Sequence, residues 1–216
     1  MIALIFSILL ASGNAARIKP GARMSSEGIL ASPRRLLLPR PTQWPKPDPT
    51  DRDTAPKMAR WISHITTWGT LSTSKDGGMP IGGIVSHSDG PWESPSPRVF
   101  FYLTPMDELV QIISENPRVS YTLTEASLPH GCRGQDPENP ACAKATLLGS
   151  MQAVSEKEQE LAKEAMFTRH PEMEAWPPGH HFQLWELKVE EIHLLDWYGG
   201  MKTIKGEDYR DASLTN

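Results

Sequence analysis

Proline sets the first limit on this chain. Twenty of its 216 residues are proline, about twice the roughly 5% of average usage, and they are unevenly spread. Proline has no amide hydrogen and clashes with the preceding helical turn, so an all-helical bundle is excluded. Pro39, Pro41, Pro45, Pro47 and Pro49 close a basic stretch in which Arg17, Lys19, Arg23, Arg34, Arg35, Arg40 and Lys46 face one acid, Glu27. That stretch carries about +6 and the remainder about −10, within a whole-chain charge of −4. It has little to bury against the entropy of ordering. Residues 17–52 are therefore expected to be a flexible linker or pro-segment. A nucleic-acid arm is the weaker reading, because few aromatics are present for base stacking.

Met1 to Ala16 reads MIALIFSILLASGNAA. Ile2 to Leu10 has the length of a secretory apolar core, and Gly13, Ala15 and Ala16 supply small residues for cleavage. No Lys or Arg precedes the apolar run, yet a signal peptide over 1–16 is the expectation, and with it an oxidising compartment. No apolar run approaches the roughly 20 residues that span a bilayer.

Residues 53–216 read as one α+β domain. Asp53 or Thr54 is placed to cap a helix with Pro56 in its first turn, followed by Met58, Trp61, Ile62 and Ile65 at helical spacing. Strand formers run from Trp68 to Ser74, Lys75-Asp76-Gly77-Gly78 is a turn, and a second strand spans Met79 to His87. Ser88 to Pro97 is a loop. VFFYL (Val99 to Leu103) is a buried strand. Thr104-Pro105 is expected to open a helix with Leu109, Ile112 and Ile113 inward, ended by Asn116-Pro117. Val119 to Thr124 and Ala145 to Val154 are strands. Ser155 and Glu158 form a capping box for a helix with Leu161, Ala162, Ala165 and Met166 buried. Phe182 to Trp197 is a long strand bent near Glu190-Glu191, and Gly206 to Ala212 a short terminal helix. About six strands and three helices suggest an antiparallel barrel rather than a parallel βαβ sheet.

Few residues advertise chemistry. The chain has no GxSxG elbow, HExxH or P-loop. His180 and His181 are adjacent, so on an extended strand they would point to opposite faces, and no metal site is expected. Glu156, Glu158, Glu160 and Glu164 read as a solvated helix face. Trp176, Trp185 and Trp197 read as core or interface aromatics. Cys132 and Cys142 flank RGQDPENPA. In a secreted protein a disulfide is the natural outcome, and two free thiols are the alternative.

The stretches TTWGTLST, GGIVSHSDGP, FFYLTPMDELVQIISENPRVSYTLTEA and LLGSMQAVSEKEQELAKEAMFTRHPEMEAWPPGHHFQLWELKVEEIHLLDWYGG resemble the CREG family, named for a cellular repressor of adenovirus-stimulated genes. The resemblance runs from about Ala55 to Tyr209. Its marks are SDGP (Ser88 to Pro91), ENP (Glu115 to Pro117), RHPEM (Arg169 to Met173) and WYGG (Trp197 to Gly200). It implies a six-stranded FMN-binding split barrel of the pyridoxamine 5'-phosphate oxidase type. It also implies a secreted or lysosomal homodimer with an altered flavin pocket and no recognised catalytic activity, acting through a surface, with a protein receptor as the candidate partner. Two departures stand out. Asn14, Asn116, Asn139 and Asn216 all fall outside an N-x-S/T sequon, so glycan-dependent sorting is not expected. The basic N-terminal stretch has no family counterpart, and transcriptional repression through it conflicts with a signal peptide.

A flavin phosphate is gripped by cationic side chains with hydroxyls and amides. Met79 to Asp89 (MPIGGIVSHSD) holds no Lys or Arg. If FMN binds, Ser86, His87, Ser88 and Arg118 are the residues to test, and the protein would be an FMN-dependent oxidoreductase. The missing positive charge favours no cofactor and a binding role.

Overall fold

The computed structural model describes residues 44–75 and 78–214. The expected signal peptide and most of the basic stretch lie outside the described residues. Four helices occur among them, α1 (Ala55–Ile65), α2 (Glu108–Glu115), α3 (Gln159–Arg169) and α4 (Gly206–Asp211). The strands are β1 (Trp68–Ser74), β2 (Pro80–Ser86), β3 (Val99–Leu103), β4 (Arg118–Thr124), β5 (Lys144–Ala153), β6 (Gln183–Leu195) and β7 (Lys202–Lys205). All pairings are antiparallel, in the order β2-β1-β4-β5-β6-β3, with β7 added to β6.

This sheet curls until its two outer strands nearly meet. They touch at one place, an isolated bridge between Ser88 and Phe100, made by Ser88 N–H to Phe100 O at 3.0 Å and Phe100 N–H to Ser88 O at 2.8 Å. The result is a barrel clasped at one point and open elsewhere. Curvature enters β6 where Gly149 faces Val189 while Leu148 faces Glu191, leaving Glu190 as a bulge. Bulges bend and twist a strand. Only glycine fits at 149, because a Cβ there would lie 2.0 Å from Lys188 O.

Alternation decides the faces. Leu71, Val85, Phe101, Tyr121, Leu123, Leu147 and Ile192 point inward, where Met58, Ile62, Leu109, Ile113 and Tyr209 from the helices fill the same core. A second cluster forms outside β3 and β6, where Phe100 and Leu184 meet Ala162, Ala165 and Met166 of α3. These α3 residues recur at helical spacing and continue to buried Arg169. Leu161, expected in the stripe, falls off that face and is 51% exposed.

Two boundaries differ from the sequence expectation. The helix expected from Thr104 begins at Glu108, because the Asp107 carboxylate accepts from Leu109 N–H at 2.9 Å and takes the capping role. Residues 44–52, expected within the flexible segment, lie against the domain. Trp44 Nε1 donates to Trp92 O at 2.8 Å, Trp61 Nε1 donates to Trp44 O at 2.9 Å, and Lys46 pairs with Glu125 at 2.6 Å. An anchored indole can offset an ordering cost that proline count alone does not reveal. The four-residue β7 was also missed, being too short for periodicity to show.

Candidate functional site

The end of β2 concentrates the polar chemistry of the molecule. Of the residues nominated there, His87 and Ser88 are fully buried, as is the following Asp89, and Ser86 is half-buried. His87 N–H extends the β1 ladder to Thr67 O at 2.9 Å. Its Nε2 faces Ser63 O at 2.9 Å, and its Nδ1 lies 2.8 Å from the Tyr121 hydroxyl. A carbonyl can only accept, so Nε2 carries the proton and Nδ1 accepts from Tyr121. Burial pulls the His87 pKa down to about 3, and burial drives the Tyr121 phenol upward. His87 is thus a neutral internal connector. Its carbonyl accepts from His170 Nε2 at 2.9 Å.

Ser88 is equally committed. Its hydroxyl donates to Ala165 O at 2.6 Å and accepts from Gly90 N–H at 3.1 Å. Asp89 receives His64 Nδ1 at 2.8 Å and Arg169 Nη2 at 2.5 Å. Arg169 also donates through Nε to Gly90 O at 2.7 Å and through Nη1 to His64 O at 2.5 Å. Its guanidinium lies 3.8 Å from the ring centroid of Trp92. Burial lowers the Arg169 pKa, opposed by the Asp89 charge, and guanidinium remains cationic in proteins. Gly90 turns the chain at φ +125°, where a Cβ would meet Ser94 O at 2.7 Å. This Ser-Asp-Gly-Pro turn is locked to α1 and α3 by one buried Arg–Asp pair. A buried pair is chiefly sensitive to losing one partner.

Ser86 and Arg118 stand apart. Ser86 faces Trp68 at one end of β1, whereas Arg118 O accepts from Thr73 near the other end. Five strand positions at about 3.3 Å each separate them by about 16 Å. Arg118 is exposed and pairs with Glu190 at 2.5 Å. Within one chain the four nominated residues therefore make no common phosphate site. Arg169 and His64 at the clasp already serve Asp89 and backbone carbonyls, and Arg98, stacked on Phe100, is held by Glu186 and Glu158. The arrangement does not fit a flavin phosphate at this end of one chain. Sequence reading missed His64, Asp89, Arg169 and Tyr121 as a set. The signal was present in SDGP and RHPEM, whose polar members meet across 80 residues.

Elsewhere, Cys132 and Cys142 are disulfide-bonded and close the loop between β4 and β5. Among the described residues, no group of three or more His, Cys, Asp or Glu is arranged to hold a metal ion. No described helix is long and apolar enough to cross a membrane.

A family model described as CREG, beta-barrel, matches residues 49–211. The chain belongs to the CREG family. This CREG-family chain is 35% identical to mouse Protein CREG1 over 169 residues, which is 76% of each chain. It is 40% identical to human Protein CREG2 over 160 residues, covering 71% of this chain but only 55% of that relative. The same barrel occurs in a heme binding protein from Mycobacterium smegmatis, with a TM-score of 0.60 at 23% identity over 72% of this chain. This chain spans 60% of that structure, and the likeness concerns the split-barrel fold alone. The clasped sheet is thus a CREG-type split barrel.

Proposed function

We propose that this CREG-family protein is a secreted, non-enzymatic binding protein that acts as a homodimer through its surface, outside the cell or in a lysosome- or vacuole-like compartment. The observation that carries the reading is the outer face of β2, β1, β4 and β5. Ile84, Thr70, Thr122 and Thr146 lie in register across these strands, beside a second row of Gly82, Ser72, Ser120 and Leu148. Neither row holds a charge. Ile84 is 72% exposed and neighbouring Trp68 is 39% exposed. A bare, charge-free sheet face containing an isoleucine and a tryptophan has the character of a protein contact. The disulfide supports an oxidising compartment. The Pro91 to Pro97 loop and the Cys132–Cys142 loop are the surfaces offered to a receptor, because rigidly held loops are where recognition concentrates.

The consumed polar atoms at the clasp support a role without flavin. The test is to titrate purified protein with FMN while recording its melting temperature and visible absorbance. A ligand bound at 100 times its Kd adds about 2.7 kcal/mol of stability. The expected result is a colourless protein with an unchanged melting temperature and the mass of a dimer by light scattering. A flavin-coloured protein stabilised by FMN would establish the alternative, an FMN-dependent oxidoreductase with its phosphate site completed by the second subunit.

A further inference from the structure

On the α3 side of the barrel, outside β3 and β6, lies a pocket of about 420 Å³. We propose that it binds a small organic cation with an apolar body. Its walls are Tyr102 of β3, Phe167 of α3 and Phe182 just before β6, over a floor that includes Val154 and Leu184. The Tyr102 and Phe167 rings meet at 84° with centroids 5.3 Å apart, so they form a right-angled corner. Phe182 stacks on Tyr102 at 5.0 Å, and Trp176 backs it at 4.8 Å. Packing of this kind holds the rings in place before a ligand arrives.

Aromatic faces carry negative potential and attract cations. The polar groups around the corner point the same way. Glu174 lines the pocket, and the adjoining concavity shares Lys163, Phe167 and Glu174 and adds Glu160 and Glu164. The one base, Lys163, is neutralised by Glu160 at 2.7 Å. Glu164 and Glu174 form no ion pair among the described residues, which leaves the rim with about two unbalanced negative charges. Gln159 donates through Nε2 to Val154 O at 2.8 Å, leaving its side-chain carbonyl to accept from an ammonium N–H. The volume lies within the roughly 300–1,000 Å³ of small-molecule sites, so the inferred occupant is a small molecule rather than a protein. Charge and shape together favour an amine whose hydrocarbon portion packs on the rings.

Phenethylammonium and 3-phenylpropionate, which share an aryl body and carry opposite charges, are the probes. Each is titrated into the ¹⁵N-labelled protein and followed by NMR, with isothermal titration calorimetry for affinity. The expected result is saturable binding of the ammonium, at least tenfold tighter than the carboxylate, with shifts centred on Tyr102, Phe167 and Phe182. Phe167→Leu keeps apolar bulk but removes the ring, and Glu174→Gln removes only charge from an exposed position. Each should weaken the ammonium about three- to tenfold. Equal affinity for both probes, or ammonium binding unchanged in Glu174→Gln, overturns the proposal. Glu174→Gln leaves the core untouched and decides the question even if Phe167→Leu disturbs folding.

Discussion

Ile84 and Ser88 stand four residues apart on one stretch of backbone and invert the usual rule. The isoleucine is mostly exposed and the serine is wholly buried. The buried serine is satisfied from within, by a carbonyl of α3 and an amide of its own turn. The exposed isoleucine finds no comparable partner in the chain, and its neighbours across the sheet are small β-branched or hydroxyl residues. Buried polar atoms require hydrogen-bond partners, and a large exposed apolar patch marks an interface. The inner anomaly is thus resolved within the monomer, while the outer one is the ground of the proposed dimer. One end of the strand fastens the barrel, and Ile84 lies on its outer, exposed face.

The sharpest way to break the inner half of this comparison is Arg169→Met. It leaves Asp89 buried without its guanidinium and frees the carbonyls of His64 and Gly90. Removing one partner of a buried pair costs about 3–5 kcal/mol. For a domain of this size the melting temperature should fall by roughly 10 °C. A drop of only a degree or two would mean that the clasp does not hold the fold.

The outer half is tested by Ile84→Asp. A carboxylate on the bare face should weaken dimerisation by about 100-fold or more, because an interface would bury it unpaired. The monomer itself should change by about 0.5 kcal/mol or less, since position 84 is exposed in the single chain. Light scattering and thermal melts at low concentration separate the two effects. A dimer unaffected by this substitution would place the contact on another surface. A third substitution concerns neither half directly. Replacing Cys132 and Cys142 by serine should cost about 2–3 kcal/mol through the freedom regained by the unfolded loop, with the oligomeric state unchanged.

Sequence reading located the strands of this barrel well and its polar interior poorly, for a physical reason. The strand formers of β1, the alternation along β4 and the apolar run of β3 are local signals carried by neighbouring residues. The bend expected near Glu190-Glu191 likewise coincides with the bulge at Glu190. The burial of His87 and Ser88 is not local. It depends on Arg169, His170 and Ala165 arriving from α3 and its end, and on Ser63 and His64 arriving from α1. A polar triplet at a strand end looks solvent-facing until those distant partners are placed. His64 carried a partial clue, as a histidine set among Trp61, Ile62 and Ile65 on a helix that packs on all sides. The aromatic pocket was invisible for the same reason, since its rings come from three separate elements.

Acidification offers the finest test of the inner half. His87 titrates near pH 3 in the folded protein because burial disfavours its charged form, whereas an unfolded histidine titrates near pH 6.5. Above that value neither state holds the extra proton, and the histidine contributes no pH dependence. Between about pH 6.5 and pH 3 the unfolded chain takes up a proton that the folded chain refuses. Stability therefore falls with pH, by about 1.4 kcal/mol per unit for one group. At pH 5 the loss is about 2 kcal/mol relative to neutrality. His170 is also lowered by burial and acts in the same direction. In His87→Gln the slope of melting temperature between pH 6.5 and 4 should flatten by nearly one proton's worth, even if the variant is less stable at pH 7. An unchanged slope would mean that His87 becomes charged in place, with the clasp opening to water as it does so. The same measurement bears on compartment, because a protein whose clasp depends on neutral histidine loses stability in an acidic vesicle and keeps it in the extracellular fluid.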